Sequence, residues 1–177
     1  WGDVTREPAG VDYVLDRAGD LDAMWLRPKN CRDDKVLLCA HGGGYVLGSM
    51  YSHRKVFGHF AARIGCRALI VDYRRAPENP HPGPVDDMVS AYRWLLESGG
   101  VSGPQDVLFL GDSAGGALAL ALQLRAREMG LPLPAGSLAL APYLDMEAQG
   151  DSYDRNGEVD AIGDREGNLQ FIKLFLG

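Results

Sequence analysis

VLFLGDSAGG, residues 107–116, runs an apolar stretch straight into a serine flanked by glycines. Val107–Leu110 reads as a short buried strand, and the Leu/Ala-rich stretch Ala117–Met129 reads as a helix closed by Gly130 and Pro132. Gly111-Asp112-Ser113-Ala114-Gly115 therefore matches G-x-S-x-G at a strand-to-helix junction, the context that this motif requires. The spacing has a steric reason. A sharp turn leaves the serine strained and exposed, and glycine on either side lets neighbouring backbone pass without a Cβ clash. Ser113 Oγ is expected at the carboxyl edge of a sheet, beside a helix N-terminus whose free N–H groups favour developing negative charge.

A second glycine cluster lies upstream in CAHGGGYVLGS, residues 39–49, after the apolar run Lys35–Ala40. Between the two clusters, Val56, Phe57, Phe60, Ala61 and Ile64 form a helical apolar face that Ser52 caps and Gly65 ends. Arg67–Tyr73 is a buried strand, the proline-rich RRAPENPHPGP is a long loop, and residues 85–97 form a helix with Asp86 and Asp87 at its positive end. The two glycine loops are thus separated by about two strand–helix units of roughly 30 residues each, which places both at one edge of a largely parallel sheet. Gly43 and Gly44 can then present main-chain N–H groups to the same point as the N–H of Ala114, forming an oxyanion hole for a tetrahedral acyl intermediate. A phosphate loop is the rival reading of the first cluster. The chain has neither G-x-x-x-x-G-K-[ST] nor G-x-G-x-x-G.

Toward the termini, Val11–Asp16 and Asp22–Pro28 read as two half-exposed strands of a hairpin, and Ser137–Ala141 as a fourth buried strand. The tail from Met146 is acidic and glycine-rich, then amphipathic over Leu169–Leu176. The 177 residues fit one α/β domain, and a net charge of −6 argues against nucleic-acid binding. There is no apolar run of membrane-spanning length and no apolar signal segment, and Cys31, Cys39 and Cys66 lack metal-site spacing. The expectation is a soluble, cytoplasmic protein with reduced thiols. A first residue of Trp1 rather than methionine suggests that the chain is not the whole translated product.

Four stretches together resemble the hormone-sensitive-lipase-like, HGGG-type carboxylesterase family of the α/β-hydrolases: HGGGY at 41–45, DYRRAPE at 72–78, GDSAGG at 111–116 and APYLD at 141–145. The resemblance implies an α/β-hydrolase core over residues 1–145, with residues 146–177 beginning a partial helical cap over the acyl pocket. It implies a serine carboxylesterase for small to medium acyl esters, with Ser113 as nucleophile, Gly43, Gly44 and Ala114 as oxyanion donors, and no metal or organic cofactor. His41, Gly42, Gly111, Asp112, Gly115 and Asp145 take structural roles near the site. Arg75 and His81 depart from the family pattern, so the loop around them is expected to differ locally.

A base for Ser113 and a carboxylate to orient it follow the nucleophile in this fold, yet His41, His53, His59 and His81 all precede it. The sheet is therefore expected to be truncated before its last strands, and the chain as it stands to be nearly inactive and prone to self-association through uncovered surface. Three alternatives stay open: a lactonase or amidase using the same nucleophile, a binding-only member of the fold, and an assembly in which a second polypeptide supplies the base.

Overall fold

The computed structural model describes residues 2–97 and 100–177; Trp1 lies outside the described residues. Six strands form one sheet: β1 (Val11–Ala18), β2 (Leu21–Pro28), β3 (Arg32–Ala40), β4 (Cys66–Val71), β5 (Val107–Asp112) and β6 (Gly136–Leu140), in the spatial order β1-β2-β4-β3-β5-β6. The hairpin joins antiparallel, whereas β4, β3, β5 and β6 run parallel. Helix α1 (Met50–Ile64) covers one face, with Phe57 and Ala61 packed near Leu37, Cys39 and Ile70. Helices α2 (Gly83–Glu97) and α3 (Ala114–Glu128) cover the other, where Met88, Leu95, Leu118 and Leu122 cluster with Leu38, Leu69 and Phe109. Alternate residues of β3 thus feed opposite cores, as the two-residue strand period requires.

The connection after β3 goes to β4 on one side, and the next parallel strand, β5, lies on the other. The order therefore reverses between β3 and β5, and the crevice beyond their carboxyl ends is the switch point where open α/β sheets bind ligands. Both glycine clusters open into that crevice.

Five local expectations change. Ser49 caps α1, its hydroxyl accepting the Ser52 N–H, and Ser52 returns a bond as the third helical residue of a capping box. The buried stripe of α1 is rotated to include Met50, His53 and Gly58, which leaves Ile64 52% exposed. Strand β2 is inside the sheet rather than half-exposed, so Ala23, Met24, Trp25 and Leu26 are all buried. Strand β6 has one neighbour among the described residues and is half-buried instead of buried, with Leu138 37% exposed. Within α2, Asp87 at 4% exposure does not serve the start of its helix but ties down the proline-rich segment: it takes paired bonds from the Arg74 guanidinium at 2.7–3.0 Å and another from the Arg74 N–H at 2.8 Å. Beyond β6, two helices follow, α4 (Ser152–Asn156) and α5 (Arg165–Leu176), the second capped by the Asp164 carboxylate on the Gly167 N–H.

Candidate active site

Ser113 occupies φ 53° and ψ −121°, a left-handed conformation disfavoured for any residue with a Cβ. Its neighbours hold it there. Its N–H donates to the Leu140 carbonyl at 2.8 Å, and its carbonyl accepts from the N–H of Tyr143 at 3.0 Å and of Ala117 at 3.1 Å. Flanking glycines make the turn sterically feasible: a Cβ on Gly111 would stand 2.1 Å from the Gly115 carbonyl oxygen, and one on Gly115 2.0 Å from that of Ala40. The hydroxyl lines a cavity of about 630 Å³ above the strand ends.

The β3 loop supplies the facing wall. Gly43 and Gly44 have φ of 124° and 61°, and a Cβ on Gly43 would lie 2.2 Å from the Leu47 carbonyl oxygen. The Gly43 carbonyl is occupied by the N–H groups of Val46 and Leu47. No acceptor among the described residues takes the N–H of Gly43, Gly44 or Ala114, which sit at the lip of the cavity and the start of α3. Such free donors beside a nucleophile can receive the charge of a tetrahedral oxyanion.

His41 lies wholly buried beneath this loop. Its Nδ1–H donates to the Gly42 carbonyl at 2.9 Å, its ring stacks on Tyr73 at 4.2 Å, and the Tyr73 hydroxyl donates to its carbonyl at 2.7 Å. Burial pulls its pKa down to about 4, so it is a neutral prop for the loop at ordinary pH. Asp112 turns its carboxylate toward the same loop: Oδ1 accepts the Gly42 N–H at 3.2 Å, and Oδ2 lies 3.3 Å from His53 Nε2. The room for this contact comes from Gly42, where a Cβ would fall 2.4 Å from Asp112 Oδ2. His53, noted in the sequence only as one of the histidines that precede Ser113, is thus part of the site's frame, and no local pattern marks it.

The remaining residues are more distant. Asp145 is exposed and organises the turn after β6, its carboxylate accepting the N–H groups of Glu147, Gln149 and Gly150 at 2.7–3.3 Å, bonds that hold its pKa below the usual range. Arg75 pairs with Asp72 at 2.9 Å, and the His81 N–H donates to the Phe175 carbonyl at 2.6 Å, tying the proline-rich loop to α5. His59 Nε2–H donates to the Arg6 carbonyl. Among the described residues no histidine nitrogen hydrogen-bonds the Ser113 hydroxyl.

The tail folds over the serine. Gly157, Asp160, Ala161, Ile162, Asn168 and Phe171 line the cavity, and the Phe171 ring packs on Gly44, where a Cβ would meet it at 3.0 Å. Tyr45 anchors this arrangement: its ring stacks on Phe175 at 3.8 Å and its hydroxyl donates to the Tyr143 carbonyl at 3.1 Å. No group of histidines, cysteines and carboxylates among the described residues could hold a metal ion, and no described helix is long and apolar enough to cross a membrane.

Comparison with known proteins agrees with this geometry. The profile of a family described as having the alpha/beta hydrolase fold matches residues 37–177. An acetyl-hydrolase of Streptomyces hygroscopicus is 42% identical over 135 residues, covering 76% of this chain and 44% of that protein. An esterase of Acinetobacter venetianus is 37% identical over 142 residues, covering 80% of this chain and 46% of that one. Among solved structures, an esterase from the bacterial hormone-sensitive lipase family superposes with a TM-score of 0.93 at 40% identity, over 98% of this chain and 58% of that one. The chain spans about half the length of these relatives.

Proposed function

This chain belongs to the alpha/beta hydrolase fold family, in its hormone-sensitive-lipase-like branch, and on that premise we propose that it is the nucleophile-bearing part of a serine carboxylesterase. Ser113 Oγ attacks the ester carbonyl, the oxyanion takes the N–H groups of Gly43, Gly44 and Ala114, and the acyl-serine then yields to water. The observation that carries the reading is the strained Ser113 facing unpaired loop amides across one cavity. The named activities of the relatives, acetyl-hydrolase and esterase, support small to medium acyl esters as substrates. Among the described residues no histidine nitrogen hydrogen-bonds Ser113, so we assign the base and its carboxylate partner to sequence outside these 177 residues. We divide the chain into a core over residues 1–145 and a covering segment over 146–177, and the unpaired thiols of Cys31, Cys39 and Cys66 support a cytoplasmic setting.

The test is reaction with an organophosphate and hydrolysis of a short-chain p-nitrophenyl ester, with intact mass read on the same sample and Ser113→Ala as control. Stoichiometric labelling that Ser113→Ala abolishes is expected. A folded protein that neither labels nor turns over would instead support a binding-only member of the fold, a reading supported by the lack, among the described residues, of a histidine hydrogen-bonded to the Ser113 hydroxyl.

A further inference from the structure

His53 and Asp112 come from different elements, α1 and β5, yet meet directly behind the oxyanion loop. Asp112 has two contacts there: the Gly42 N–H on Oδ1 at 3.2 Å and His53 Nε2 on Oδ2 at 3.3 Å. A carboxylate only accepts, so the tautomer with its hydrogen on Nε2 makes this contact attractive. The other ring nitrogen is also engaged, since Nδ1 lies 2.8 Å from Ser52 Oγ, and that hydroxyl belongs to the capping box which starts α1. The ring itself is 2% exposed, wedged between His41 at 5.6 Å and Phe57 at 5.9 Å. A rigid helix end is thereby linked through one imidazole and one carboxylate to the amide just before Gly43 and Gly44.

We propose that His53 is a positioning residue for the oxyanion loop, acting through Asp112 on the Gly42 amide; this rests on the esterase reading of Ser113. Asp112 immediately precedes the nucleophile, so without His53 its side chain is free to swing into the cavity that it already lines. With His53 in place, the same carboxylate fixes the distance between the elbow and the loop. A donor amide displaced by about 1 Å no longer meets the developing charge, and losses on the order of a hundredfold follow such misplacement. Substrate binding in the ground state does not use this alignment, so the effect falls on kcat and not on KM.

The experiment compares His53→Leu, which removes both ring contacts, with His53→Gln, whose amide reaches Asp112, in the purified native protein and its variants. For p-nitrophenyl acetate, His53→Leu is expected to lower kcat by about tenfold or more with KM within about twofold, and to weaken inhibition by an alkyl trifluoromethyl ketone in parallel. His53→Gln recovers both to within about threefold. Hydrogen exchange of the Gly42 amide, followed by NMR, quickens about tenfold or more in His53→Leu and not in His53→Gln. His53→Asn keeps the Ser52 contact but is too short for Asp112; it carries the leucine expectations and replaces that variant if it does not fold. Equal behaviour of the leucine and glutamine variants, an unchanged ketone affinity beside a lowered kcat, or an unchanged Gly42 exchange rate overturns the proposal. If the native protein shows neither turnover nor ketone binding, the esterase reading fails, and Gly42 exchange alone decides whether His53 positions the loop.

Discussion

Gly115 and Ala40 approach so closely that a Cβ on the glycine would stand 2.0 Å from the Ala40 carbonyl oxygen. The end of β3 and the first turn of α3 are therefore in backbone contact, and this contact brings the HGGG loop and the elbow to one cavity. Gly115→Ala is expected to push the elbow away from the loop by a fraction of an ångström or more. Labelling of Ser113 by an organophosphate should slow by about a hundredfold, a sensitivity typical of misplaced reacting groups. Circular dichroism establishes that the variant is folded. A folded variant labelling at the native rate would show that the close approach is dispensable.

The strained backbone of Ser113 makes a separate prediction about stability. Glycine tolerates φ 53° without a Cβ clash, so Ser113→Gly is expected to gain about 1 kcal/mol, or roughly 2–4 °C in Tm for a chain of this size. Ser113→Ala keeps the strain and should lose the nucleophile without that gain. Thermal scans of the two variants side by side decide it, and equal melting temperatures would mean that the turn stores no strain.

His41 makes stability depend on pH with a definite sign. Its folded pKa of about 4 lies below the ordinary value of 6.5, so between these values the unfolded chain binds a proton that the native state refuses. Native stability is full above pH 6.5 and falls as the pH drops toward 4, by up to about 3 kcal/mol from this group. His41→Asn should lower stability at pH 7.5 and flatten the dependence. Urea midpoints at pH 7.5 and 5 measure both effects, and parallel curves for the native and variant proteins would refute the assignment.

Phe171 sets the roof over Gly44, and its removal should widen acyl preference. Each further methylene buried is worth about 0.8 kcal/mol, or roughly fourfold in kcat/KM. Phe171→Ala is expected to favour hexanoate over acetate p-nitrophenyl esters by several such factors relative to the native protein. An unchanged acetate-to-hexanoate ratio would move the acyl group to another part of the cavity.

Among the described residues no strand lies beside the outer edge of β6, and Leu124, Leu138 and Leu144 are exposed at 52%, 37% and 56%. Open edges and apolar surface of this kind recruit partners. The 177-residue chain is expected to self-associate at micromolar concentration, and Leu138→Lys to reduce that association. Sedimentation velocity measures both, and a native monomer across that range would overturn the expectation.

The elements were legible because their causes are local. Apolar periodicity located α1 and α2, alanine content and length located α3, Gly65 ended α1 in a left-handed cap, and the strand–GDSAG–helix junction marked the elbow, although the need for Gly115 comes from β3 as well. Even the burial of β2 had a signal, since the consecutive apolar residues Ala23–Leu26 suit a strand covered on both faces. Position within the sheet is different, because strand order depends on pairings between distant segments: the half-exposure of β6 and the burial of β2 follow from which neighbours each one has. The same holds for the site's supports. His53 meets Asp112, and Phe171 meets Gly44, only after β3, β5 and α5 have packed, and no spacing in the chain encodes contacts between residues so far apart. Local chemistry thus marks the proposed nucleophile and its glycines, whereas the packed sheet alone decides what holds them in line.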